Sequence, residues 1–94
     1  MNGKEKTFVL NPQFVFREEE EGGFLFNPNT DALHCLNPVG ASVCRLCNGR
    51  NSLEAICRRL PEEYDIDTTP EMLKKDVRDF LERMASFDLI REQD

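Results

Sequence analysis

The stretch Leu33-His34-Cys35-Leu36-Asn37-Pro38 fixes a strand-to-helix junction to within a residue. Ala32 to Leu36 is short, apolar in alternation and preceded by turn residues, so it reads as a strand. Asn37 suits the cap position, because its side chain can accept from an orphan N–H of a helix's first turn. Pro38 suits the first helical position, where its missing N–H costs nothing. Val39, Val43, Leu46 and Cys47 then recur at helical spacing, and Gly49 supplies the expected stop. Ser52 caps a second helix with the stripe Leu53, Ile56, Cys57 and Leu60, ended by Pro61. Glu62 to Thr68 is an acidic connector. Thr69-Pro70-Glu71 repeats the cap-plus-proline start. The third helix runs from roughly Pro70 to Ser86, with Leu73, Val77, Phe80, Leu81, Met84 and Phe87 on one face.

Upstream, the chain alternates β-forming runs with turn chemistry. Phe8-Val9-Leu10 is an extended lead-in that stops at Asn11-Pro12. Phe14 to Glu18 reads as a strand, Gly22-Gly23 as its hairpin turn and Phe24-Leu25-Phe26 as the returning strand. Asn27 to Asp31 carries a proline and three Asx residues and forms the next turn. The expected fold is therefore α+β and winged-helix-like: an N-terminal three-stranded antiparallel β-meander followed by three α-helices. Such a meander is marginal alone and needs helices on one face. Residues 1–94 read as a single domain, with 1–7 and 91–94 flexible. Leu89-Ile90 closes a last hydrophobic contact.

Composition narrows the function. With 94 residues the chain can bury a modest core, which leaves little interior for a deep active-site cavity. Twelve basic and eighteen acidic residues give a net charge of −6. That balance opposes a phosphate backbone unless the cations cluster. On the third helix they do not: Lys74, Lys75 and Arg78 are interleaved with Glu71, Asp76, Asp79 and Glu82, the pattern of a solvated face. The charge argues against nucleic acid. A small DNA-binding or regulatory winged helix is the second reading. No apolar run approaches the ~20 residues that span a bilayer, and the first residues lack the apolar core of a signal peptide. A cytoplasmic protein with no membrane contact is the expectation.

No catalytic constellation stands out. Of Cys35, Cys44, Cys47 and Cys57, only Cys44-x-x-Cys47 has metal-like spacing, whereas zinc ribbons show two close ligand pairs. The pair sits inside a helix rather than at the start of one, where a thiol would be acidified. All four fit the role of small buried hydrophobes. His34, the sole histidine, has no acid or nucleophile beside it in sequence. No metal or other cofactor is expected, and no enzymatic activity.

The order of elements, with Leu36-Asn37, Gly40-Ala41, Leu46-Cys47-Asn48-Gly49, Ser52-Leu53-Glu54-Ala55-Ile56, Asp76-Val77-x-x-Phe80-Leu81 and Leu89-Ile90, resembles the PqqD family, the pyrroloquinoline quinone synthesis protein D group of RiPP recognition elements. The resemblance spans about Pro12 to Ile90. It implies a non-catalytic chaperone for the leader of a ribosomally made precursor peptide, presented to a modifying enzyme, often of the radical S-adenosylmethionine type. It also implies that the leader adds as a strand beside the third strand and rests on the third helix. That mode is physically apt, since a meander's edge leaves N–H and C=O groups unpaired. Carried over by position, the edge is Leu33, His34, Cys35 and Leu36, and the helical wall is Lys74, Arg78 and Leu81. Alternation puts Leu33 and Cys35 on one face and His34 and Leu36 on the other; the sequence leaves open which faces the peptide. Lys74 and Arg78 could meet acidic leader residues. The four cysteines depart from the family pattern and leave a redox or metal elaboration open. A hairpin hinge also permits strand exchange between two copies, so a swapped homodimer is a further expectation.

Overall fold

A computed structural model describes residues 6–64 and 67–93. The meander and the three helices lie close to where the sequence puts them, except that the hairpin turn falls on Glu20-Glu21 and Gly22-Gly23, read as that turn, are instead the first residues of the returning strand, paired with Glu19 and Glu18. The meander is β2 (Val15–Glu19), β3 (Gly22–Asn27) and β4 (Ala32–Leu36), antiparallel in that order. The helices are α1 (Pro38–Leu46), α2 (Leu53–Glu63) and α3 (Pro70–Ser86). All three caps form as their residue types predict. Asn37 Oδ1 accepts from Gly40 N at 2.7 Å, Ser52 Oγ from Ala55 N at 3.2 Å and Thr69 Oγ1 from Met72 N at 3.2 Å.

A second sheet corrects the reading of the chain's ends. Phe8-Val9-Leu10 is no unpaired lead-in: β1 (Thr7–Leu10) is the central strand of a sheet with β5 (Asn48–Ser52) and β6 (Ile90–Gln93) at its edges. Thr7 therefore leaves the flexible head expected over 1–7, and Arg91 to Gln93 leave the flexible tail; residues 1–5 and 94 lie outside the described residues. Gly49 does not stop α1, which ends at Leu46 with Cys47 as its cap. It sits in β5 at φ +86°, where the β1–β5 register shifts. Pro61 does not end α2 either, because the helix runs on to Glu63 and closes with Tyr64 N bonded to Leu60 O. Part of the connector, 65–66, lies outside the described residues. Phe87, expected on the core face of α3, caps the helix and is 60% exposed.

The core gathers Leu25 from the meander, Val43, Cys44, Leu46 and Cys47 from α1, Ile56 and Leu60 from α2, Val77, Leu81 and Met84 from α3, and Leu89 and Ile90 beyond it. The meander is two-faced. Phe16, Leu25 and Leu36 turn to this core, whereas the directly paired Val15, Phe26 and Leu33 point away from it. Gly22 brings the hairpin against the end of β4: at φ +125° a Cβ would lie 2.2 Å from Leu36 O.

Asn11 ties the two halves together. Fully buried, it donates from Nδ2 to Asp88 O at 2.7 Å and accepts from Gln13 N at 3.0 Å. Its own N–H donates to Leu89 O at 2.9 Å. Arg45 Nε pairs with Glu18 at 3.2 Å and its guanidinium also reaches Glu63, joining the hairpin and α2 across α1.

Two predictions follow from this packing. Asn11→Ala removes a buried side chain and leaves the part-buried Asp88 O and Gln13 N without their partner, which costs about 1–3 kcal/mol and should lower the urea midpoint without changing the slope. Burial pushes the Cys44 thiol up to about 12 and raises Cys47 further, while Cys35 is exposed. A thiol reagent should therefore label Cys35 rapidly in the native protein and reach Cys44 and Cys47 only in denaturant; fast labelling of all four would contradict the packing.

Candidate functional site

The meander has a free edge. β3 pairs with β2 on one side and β4 on the other, and among the described residues β4, like β2, pairs with β3 alone. The edge is bounded at both ends by local chemistry. Before β4 the chain turns tightly, with Asp31 N donating to Asn27 O at 2.8 Å and Asp31 at φ +63°. After it, Asn37 begins α1, and Pro38 has no N–H to offer a neighbouring strand.

Beside this edge runs a groove about 470 Å³ in volume, lined by Leu33 to Asn37 on one wall and Phe80, Arg83, Met84 and Phe87 on the other. α3 delivers its wall at i, i+3, i+4 and i+7, so the four side chains form one stripe. The strand and helix run in opposite senses. The His34 ring lies 6.0 Å from that of Phe87, while the ring of Phe80 sits beside Gly40 just past the strand's other end. Burial settles which face of β4 looks inward: His34 and Leu36 are half-buried, Leu33 and Cys35 exposed. His34 is flanked on its other side by Phe14 at 6.2 Å.

Charge at the groove departs from that of the chain. No aspartate or glutamate lines it. Its one guanidinium, Arg83, lies 6.0 Å above the Phe80 ring and makes no ion pair among the described residues. Arg83 also borders an adjoining hollow that Asp76, two turns earlier, helps to line, without forming an ion pair with it.

The structure brings Leu33, His34, Cys35 and Leu36 together with α3, but not with the part of α3 the sequence reading named. Lys74 turns to α2 and pairs with Glu54 at 2.7 Å. Arg78 lines a different hollow, with Phe8, Ser52 and Glu54. Leu81 is 3% exposed and belongs to the core. Phe80, Arg83, Met84 and Phe87 take their place at the groove. Phe87 carried a readable signal: an aromatic one turn beyond Met84, at the end of a helix with no further turn to cover it. Cys35 borders the groove with an exposed, free thiol. Among the described residues no group of three or more His, Cys, Asp or Glu is placed to hold a metal.

The family model for coenzyme PQQ synthesis protein D (PqqD) matches residues 22–90, from β3 to the first residue of β6, which takes in both groove walls. Among solved structures, TbiB1 in complex with the TbiA(beta) leader peptide superposes with a TM-score of 0.75 at 22% identity, over 88% of this chain and 94% of that one. Lasso peptide synthetase B1 complexed with its leader peptide gives 0.74 at 15% identity, over 89% and 96%. The heterocyclase TruD gives 0.68 at 16% identity, over 94% of this chain but 12% of its own. These likenesses show the shared fold. No curated protein sequence matches the chain. With the family model covering most of its length, meander edge and third helix included, the chain belongs to the PqqD family.

Proposed function

We propose that this protein is a non-catalytic peptide chaperone that holds the leader of a ribosomally made precursor peptide and presents it to a modifying enzyme. The observation that carries the reading is the free edge of β4 facing the apolar stripe of α3 across an open groove. An extended peptide can pair with the edge through its backbone and set alternate side chains into the groove. His34 and Leu36 line the inner side of that path, and Leu33 and Cys35 its outer side. The helical wall is Phe80, Arg83, Met84 and Phe87.

Two further facts support the reading. Two proteins of the same fold are described in complex with leader peptides. TruD, a heterocyclase, contains this fold as a small part of a long chain, which suits a module that works alongside modification chemistry. The enzyme that receives the peptide is proposed to be of the radical S-adenosylmethionine type, as the family resemblance implies, and the setting cytoplasmic. The groove's contents fit binding better than catalysis: His34 is flanked by aromatic rings rather than by an acid or a nucleophile.

Titration of isotope-labelled protein with the leader of a precursor peptide encoded beside its gene tests this. Amide shifts should cluster on Leu33 to Leu36 and on Phe80 to Phe87. An intact fold with no shift there at high micromolar leader would sink the proposal. Phe87→Ala removes an exposed groove wall without touching the core and should weaken leader binding about 5- to 10-fold.

A further inference from the structure

The charge of the groove points to the kind of peptide it accepts, an inference that rests on the strand-addition reading above. An acidic chain would be expected to show carboxylates along any exposed surface of this size, yet the nine residues lining the groove include none. Arg83 stands among them over an aromatic face, without a carboxylate within ion-pair distance among the described residues. A guanidinium over a ring face still has its N–H donors free for a carboxylate beside it.

Strand geometry sets the spacing. Side chains of an added strand that face the groove are two residues, roughly 7 Å, apart. His34 and Leu36, the inward pair of β4, share that spacing and mark the two ends of the site. At the Leu36 end the wall is Phe80 with Arg83, next to Asn37; at the His34 end it is Phe87 with Met84. One inward peptide side chain therefore meets the cation, and the next meets the apolar end.

We infer that the groove selects leader segments carrying an aspartate or glutamate two residues from a bulky apolar residue, with Arg83 taking the carboxylate and Phe87 and Met84 taking the apolar side chain. The order of the two reports the peptide's direction. A strand antiparallel to β4 enters at the Leu36 end, so its carboxylate comes first; a parallel strand reverses the order. Because the protein's net charge is −6, attraction for such a peptide is local to Arg83 rather than a property of the whole surface.

Selection of random ten-residue peptides on the immobilised full chain tests the inference, followed by amide-shift mapping of the winners. Enrichment of Asp or Glu two positions from Leu, Ile or Phe is expected among peptides that shift Leu33 to Leu36. The exposed Arg83→Glu variant should keep the apolar preference and exchange the acidic one for Lys or Arg. It should bind the original winners at least about 10-fold more weakly, with Arg83→Lys within about 3-fold of the parent. Winners that shift β4 without an acidic preference, or an Arg83→Glu selection that returns the same acidic peptides, overturn the inference and leave strand addition standing. Failure to find any peptide that shifts β4 overturns both.

Discussion

Close packing of α1 is the constraint from which the rest of the molecule takes its position. The helix lies between the meander and α2, and all but three of its nine residues are buried. Contact on several sides is possible because its first turns are small. An ideal Cβ on Gly40 would come 3.4 Å from the ring of Phe80, and one on Gly23 of the meander 3.4 Å from Ala41. Ser42, fully buried, spends its hydroxyl on Tyr64 and Glu63, and Tyr64 donates to Pro38 O at 2.9 Å. The helix thus meets β3, the Phe80 ring of α3 and the end of α2 at once. Asn37 makes the arrangement exact in register, because the residue that ends the strand also caps the helix.

Local chemistry made the meander and helices legible. Cap residues and prolines at the first helical position each act within a few residues, so their signals survive in the sequence alone, whereas the glycine pair marks the hairpin but sits in its returning strand rather than in its turn. The second sheet was hidden because nothing local makes it. Asn48-Gly49-Arg50-Asn51-Ser52 is a poor β sequence that becomes a strand only against β1, and Arg91 to Gln93 pair with residues more than eighty positions away. Pro61 misled for a related reason. A proline in the last turn of a helix removes one bond, and tertiary packing of Leu60 holds the helix through it.

The free edge at β4 was readable and the wall opposite it only partly so. β4 could be placed because strand, turn and cap all point to it. The face of α3 that meets β4 depends on how the helix is rotated, and three faces of α3 carry plausible residues. Lys74 and Arg78 looked available as cations on a mixed-charge helix; the fold commits Lys74 to Glu54 and turns Arg78 to another hollow. Arg83 drew no notice, since its meaning comes from the absence of acids around it in space, which adjacent sequence (Glu82 beside it) conceals.

The shortness of β4 has a thermodynamic consequence. Five residues between a turn and a helix cap expose only two or three residues' worth of outward N–H and C=O groups. Each backbone hydrogen bond gained from water contributes about 1 kcal/mol net, while immobilising each peptide residue costs about 1–2 kcal/mol. Over this length the ordering cost equals or exceeds the gain. Any strand could lie down here, but none is held by its backbone alone. Residence then depends on what the side chains find in the groove, which makes the edge indifferent to passing strands and lets a correct one leave once its few anchoring contacts give way. For a carrier that must hand its cargo on, a weak track with selective anchors suits transfer better than a long, tight one.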